Sequence, residues 1–368
     1  MKAILIDEFV KDLSTLHPKP TVPPSPQSPS SLQIKISHAA LTHVDMLYAQ
    51  GLHQNNQRHV KPPFILGTEF SGIVMSSPAS SSFPPGTRVF GGALGSFAEC
   101  ICVSEEQVRR VPERWSNAEA CAVGASGAVS WGALVGVAGL KKGEWVCVFG
   151  ASGGLGVMAV QIAKSVGARV VAVVAGREKE GVVKSLGVDE VVDYREKGWE
   201  GRVWDAVRRR KGEDGEGDGE EGEGGVDVVF DGIGAVESAL KCLRYRGRVV
   251  VVGFAGRGGK MEGLRVNRVL LKGAVVGGYR FGEDGRRDPR RTTEVWNGFM
   301  GLVDRGLIRP VIYEKRYEGL EAVGRALGDL EKRAVWGRAV VRIGEDESAE
   351  RKGDGKRIEE IEGGRARL

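Results

Sequence analysis

The sequence predicts an α/β protein in which a doubly wound parallel sheet follows a β-rich, barrel-like domain. Three observations carry that expectation. Residues 146–179 (VCVFGASGGLGVMAVQIAKSVGARVVAVVAGREK) read as strand, glycine turn, helix, strand. Downstream, strand-length apolar runs alternate with helical stripes as far as Tyr279. Upstream, short strands are separated by Gly and Pro. Near-continuous apolar runs belong to parallel strands buried on both faces, and punctuated short strands to barrels and sandwiches.

Taken in order, residues 2–7 read as a strand, and the Pro- and Ser-rich residues 18–31 as an exposed mobile loop, because Pro lacks the N–H that helix and sheet interiors need. LQIKIS (32–37) alternates as a strand, and LTHVDMLYAQG (41–51) reads as a short helix ended by Gly. ILGTEFSGIV (65–74), PPGTRVFGG (84–92) and GSFAECICV (95–103) add strands and turns. From Ser116 the texture becomes small-residue helix and leads into the central unit. DEVVDY (189–194), VDVVFDGIG (226–234), RVVVVGFAG (248–256) and VLLKGAVVGGY (269–279) read as further strands, with a polar helix around 204–210. Residues 292–305 form a helix, and YEGLEAVGRALGDL and RAVVRI return as helix and strand. The acidic run 211–225 and the charged tail 344–368 are expected to be disordered.

Composition bounds the function. With 368 residues, 41% hydrophobic and 27% charged, the chain has room for two domains with substantial cores. No 18-residue apolar span is read, so no membrane partner is expected. Five cysteines without zinc-type spacing suit a reducing, cytoplasmic setting, and Cys100 and Cys102 read as core residues. Net charge is +5, but residues 213–223 hold seven acids, so the remainder is near +12. Its arginines are scattered without aromatic interleaving, which argues against nucleic acid and for attraction of a phosphorylated cofactor.

The glycine turn GASGGLG (Gly150, Ala151, Ser152, Gly153, Gly154, Leu155, Gly156) opens a helix after a strand. Glycines there let backbone approach a pyrophosphate, and the helix N-terminus favours anions. This is a dinucleotide site. The second strand ends without a carboxylate at its tip, so Arg177 and Lys179 are available to a 2′-phosphate, and the expected cofactor is NADPH. Glu178 is expected to point away. Gly253 and Phe254 end a central strand at the carboxyl edge of the sheet and are expected to border the nicotinamide.

The chain resembles the medium-chain dehydrogenase/reductase superfamily, and within it the zinc-independent quinone oxidoreductase branch. HAALTHVDMLYAQG, ILGTEFSGIV, PPGTRVFG, GSFAECICV, GASGGLGVMAVQIAKSVGA, GVDEVVDYRE, VDVVFDGIG, LRYRGRVVVVGF and GLIRPVIY stand in the family's order. The resemblance implies a GroES-like barrel built from both chain ends (1–119 and 279–343), with a Rossmann domain (120–278) inserted between them. It implies a cleft where nicotinamide meets substrate, and it sets Tyr194 beside the adenosine phosphate. Metal positions of zinc-containing relatives match Thr42, Thr68 and Ala125, which are not zinc ligands, so no metal is expected. The family's pocket asparagine matches Thr42, its pocket tyrosine Leu47, and the threonine beneath the nicotinamide Val129. Thr42, His43 and Tyr48 are therefore the candidate donors to a substrate carbonyl, while Asp45 and Glu69 are expected to anchor structure. The implied activity is hydride transfer from NADPH to quinones or α,β-unsaturated carbonyl compounds. Alternatives are a trans-acting enoyl reductase of a polyketide or fatty-acid pathway, and an NADPH-binding regulatory protein without turnover. A homodimer is expected; residues 269–279 are apolar enough to pair two copies as an edge strand or, equally, to be buried by their own chain.

Overall fold

The computed structural model describes residues 1–26, 28, 30–213, 224–257 and 262–344, and it divides into two compact units. The first comprises residues 1–124, 312–334 and the chain from Arg338, and the second residues 125–311 with 335–337. The acidic run beyond Glu213 and the tail beyond Gly344 lie outside the described residues, apart from Gly224 and Gly225.

The first unit is built on Ser31–Ala40, which pairs antiparallel with Glu69–Ser76 along one edge and with Cys100–Ser104 along its first half. Arg88–Gly92 and Val108–Arg110 extend the sheet on one side, and Val340–Arg342 and Tyr317–Glu318 on the other. Alternation along these strands turns Leu32, Ile34, Ile36, Phe70, Val74, Val89, Ile101 and Val103 into one buried cluster. The proline-rich loop is not wholly free of pairing, since Lys19–Pro20 pairs with Lys2–Ala3.

The second unit is a six-stranded, wholly parallel sheet. Across it run Glu190–Asp193, Arg169–Val174, Trp145–Phe149, Val226–Asp231, Leu243–Val251 and Val275–Gly278. In chain order that is 3-2-1-4-5-6, the Rossmann arrangement, whose order reverses between the Trp145–Phe149 and Val226–Asp231 strands. Phe149 and Asp231 are register partners at that point.

Four expectations are corrected. Residues 269–279 are not one strand. Val266–Lys272 is a helix that ends at Gly273 (φ +54), and only Val275–Gly278 is strand. A short apolar run carries too little periodicity to separate the two. The return to the first unit comes at Ile312, not at 279, and the second unit starts at Ala125. Helix Pro289–Asp304 stays with the Rossmann unit because Phe299 fills the space a side chain at Gly127 would need, and Trp131 does the same at Gly298. The polar helix is Trp199–Glu213, longer than the sequence suggested, and Trp199 packs edge-on against Phe149 at 5.3 Å. Finally, the helical run Asn117–Val137 is long and apolar enough by composition to cross a bilayer. Gly124 (φ +47) breaks it, and two-thirds of its apolar window is buried, as in a core helix.

Candidate cofactor and substrate sites

Strand Trp145–Phe149 delivers the chain into the glycine turn, and Gly150 takes φ +65, which only glycine adopts without strain. Ala151 N–H is spent on Val173 O (3.2 Å) and Gly153 N–H on Gly150 O (2.9 Å). Helix Gly154–Val166 then starts with Gly153 as N-cap and no side chain capping it. The first-turn N–H groups of Gly154, Leu155 and Gly156 have no intrahelical partner by construction. Gly156 is demanded by packing: a Cβ there would stand 2.2 Å from Gly150 O and 2.6 Å from Ala151 Cα. At Gly153 the nearest atom to a Cβ is 3.4 Å away, so backbone remains approachable on that side. Thirteen helical residues end on an open, uncapped N-terminus, a site for an anion such as a diphosphate.

The second strand leads to Gly176 and helix Arg177–Lys184, also without a capping side chain. Arg177 is exposed and Lys179 half-buried, both on the first turn of that helix. Tyr194 N–H donates to Val174 O (3.1 Å), which sets Tyr194, 41% exposed, at the end of that strand. Asp193 joins the two strand ends: its Oδ2 accepts from Gly176 N–H (3.3 Å) and Arg195 Nη2 (2.5 Å), and its Oδ1 from Arg195 Nε (3.0 Å). The Arg195 hydrogen bonds hold the Asp193 carboxyl well below the usual carboxylate range. Glu178 is tied down, for its Oε1 accepts from Trp336 Nε1 at 2.6 Å. That contact spans 158 residues, and no local pattern announces it. Gly337 N–H donates to Ser152 O at 2.6 Å, so residues 335–337 lie along the glycine turn.

Gly253 and Phe254 do not end the strand but follow Leu243–Val251, beyond its carboxyl end. A side chain at Gly253 would meet Gly232 O at 3.0 Å, and one at Gly234 would meet Phe254 Cβ at 2.8 Å, so the two edge loops are in contact. Asp231, which sequence reasoning did not single out, ties that edge. Fully buried, it accepts from Ile233 N–H (3.0 Å) and Gly234 N–H (2.8 Å). Burial pushes its carboxyl up to about 6, against the lowering effect of these amides.

In the first unit, Thr42 caps helix His43–Ala49 in a reciprocal box with Asp45. Asp45 Oδ2 accepts from Thr42 N–H (2.7 Å) and Thr42 Oγ1 (2.8 Å), and Oδ1 accepts from Thr68 Oγ1 (2.8 Å). Thr42 Oγ1 also accepts from Asp45 N–H at 3.2 Å. Its one proton is committed to Asp45, which corrects the expectation of Thr42 as a donor to substrate. Asp45 is fully buried, and burial pushes its carboxyl up to about 7 despite the Thr42 and Thr68 hydrogen bonds. Glu69 anchors structure as expected: it pairs with buried Arg338 at 3.2 Å, and Arg338 Nη1 donates to Leu41 O. Tyr48 is buried, accepts from Asn55 Nδ2 (2.8 Å) and lies 4.4 Å from the His53 ring, within its own unit. His43 differs. Its Nε2 is buried without a hydrogen-bond partner among the described residues, and burial, then Arg333, lowers its pKa. Burial thus favours the uncharged ring, and its Nε2 is left to pair.

Two family models match the chain, the alcohol dehydrogenase GroES-like domain over residues 28–113 and the zinc-binding dehydrogenase over residues 154–297. Quinone oxidoreductase-like protein 2 of Bos taurus is 32% identical over 267 residues, which is 71% of this chain and 71% of the bovine one. The chain belongs to the medium-chain dehydrogenase/reductase superfamily, in its quinone oxidoreductase-like branch. A solved structure of a probable oxidoreductase from Mycobacterium abscessus agrees with this dehydrogenase/reductase at a TM-score of 0.76 and 31% identity, over 93% of this chain and 98% of that one. Escherichia coli quinone oxidoreductase complexed with NADPH shares the fold, with a TM-score of 0.78 at 24% identity over 93% and 100% of the two chains. As a member of this family, the protein is an oxidoreductase with a nicotinamide cofactor and a small-molecule substrate. Zinc does not fit the residues at the family's metal positions. Thr42 and Thr68 present hydroxyls already bonded to Asp45, and Ala125 presents a methyl. Among the described residues no group of three or more His, Cys, Asp or Glu could hold a metal.

Proposed function

We propose that the protein reduces quinones or α,β-unsaturated carbonyl compounds with NADPH, without zinc. The observation that carries this reading is the uncapped helix N-terminus behind Gly153, with Arg177 and Lys179 one strand away. When bound, the nicotinamide supplies the hydride. The chain's part is to bind and orient. The first-turn amides of helix Gly154–Val166 hold the diphosphate, and Arg177 and Lys179 pair with the 2′-phosphate through charge-assisted bonds. Phe254, pressed against Gly234 at the sheet edge, borders the nicotinamide. Within the first unit, His43 keeps a buried Nε2 without a hydrogen-bond partner among the described residues, and burial disfavours its charged form, so we keep it as the candidate neutral donor to a carbonyl. Thr42 and Asp45 shape the helix that carries it.

The experiment is turnover: NADPH absorbance followed with a panel of quinones, enones and enoyl thioesters. Oxidation with quinones or free enones is expected. Oxidation with thioesters alone would assign the enoyl-reductase role, and binding without oxidation a regulatory one. We further propose a homodimer in a cytoplasmic setting. Val275–Gly278 is an edge strand of the sheet; its Val275 is exposed, as are Val266, Leu270 and Leu271 of the preceding helix.

A further inference from the structure

Glu178 stands in the first turn of helix Arg177–Lys184, just past the second strand, between Arg177 and Lys179. A carboxylate at this edge is the group that, in NAD-selective Rossmann sites, takes the ribose 2′-hydroxyl. It would also repel a 2′-phosphate. Here its Oε1 accepts the indole N–H of Trp336 at 2.6 Å. Indole nitrogen is a donor only, so the partner it holds must be an acceptor. Trp336 is itself fixed by its neighbour Gly337. Gly337 bridges Gly153, donates its N–H to Ser152 O at 2.6 Å, and packs so closely that a Cβ would lie 2.4 Å from Val311 O. The Trp336 backbone is therefore fastened to the same turn that receives the diphosphate.

We propose that Trp336 is a specificity-determining residue: its indole N–H holds the Glu178 carboxylate off the ribose and leaves Arg177 and Lys179 to read a 2′-phosphate. The inference rests on the NADPH reading above and deepens it.

The test is calorimetric titration of NADPH and NADH into the wild-type chain, Trp336→Phe, Glu178→Gln and the double variant. Phenylalanine keeps a ring and removes the donor. Wild type is expected to favour NADPH. In Trp336→Phe that preference falls about tenfold, the scale of one hydrogen bond to a charged group. Adding Glu178→Gln to Trp336→Phe restores it, because the released carboxylate is gone. Glu178→Gln alone leaves NADH affinity within roughly threefold, since that carboxylate does not reach the ribose in the wild type. A preference unchanged in Trp336→Phe overturns the proposal, as does an equal weakening of both nucleotides that Glu178→Gln does not reverse. Should Trp336→Phe not fold, Glu178→Gln decides alone: a tenfold loss of NADH affinity means the carboxylate already binds ribose. If the wild type favours NADH, or binds neither nucleotide, the NADPH reading itself fails and the proposal with it.

Discussion

Asp45 concentrates the residue-scale physics. A carboxyl with no exposure keeps three donors, yet burial still lifts it to about 7, well above the roughly 3.9 of an exposed aspartate. Between about pH 4 and 7 the folded chain therefore binds more protons at this site than the unfolded chain. Its contribution to stability falls as pH rises through that window, at no more than roughly 1.4 kcal/mol per pH unit, and levels off above pH 7. Asp45→Asn removes the titration. Denaturant midpoints from pH 4.5 to 8 are expected to show the variant gaining on the wild type as pH rises. Parallel curves would mean that the wild-type carboxyl ionises near its ordinary value. The hydroxyl protons of Thr42 and Thr68 are both held by this carboxylate, which leaves neither to donate to a substrate.

At the scale of elements, the unit that organises the nucleotide site was legible because each part states its structure locally. Val146–Phe149 is continuous, apolar and rich in valine, Gly150 needs positive φ, and Gly156 needs the absence of a side chain. Gly156→Ala is expected to cost about 1–3 kcal/mol through overpacking against Gly150 O. It should also weaken nucleotide affinity by about tenfold or more, because the amides that take the phosphates shift with the helix. Thermal unfolding with and without nucleotide checks both, and an alanine variant that binds as wild type would show that the close approach is not used. Residues 269–279 were not legible, since VLLK is as apolar as a strand and only Gly273, closing Val266–Lys272, separates helix from edge strand. The Trp336–Glu178 and Thr68–Asp45 contacts were invisible for another reason. They join residues far apart in sequence, and neither leaves a periodic trace.

On the scale of the whole molecule, motifs in order along the chain gave both units, while the boundary residues followed packing that sequence does not state. Phe299 against Gly127 and Trp131 against Gly298 keep Pro289–Asp304 with the parallel sheet, so the chain returns to the first unit only at Ile312. The same sheet ends on an apolar edge. Leu270 and Leu271 are 79% and 76% exposed, a cost that a second copy of the chain would remove. Sedimentation of the wild type is expected to give a dimer, and Leu270→Glu with Leu271→Glu a folded monomer, because each copy would place like charges in an apolar contact. A monomeric wild type would refute pairing through this edge.

The claim beneath all of this is that amides behind Gly153 hold a nicotinamide dinucleotide and that Arg177 and Lys179 select its phosphorylated form. Equilibrium titration of NADPH and NADH against the intact chain and against Arg177→Ala/Lys179→Ala tests it most directly. Wild-type affinity is expected to be at least about tenfold tighter for NADPH, with the double variant losing that preference while NADH affinity stays within roughly threefold. Failure of the folded wild type to bind either nucleotide, or a preference that survives loss of both cations, would contradict it.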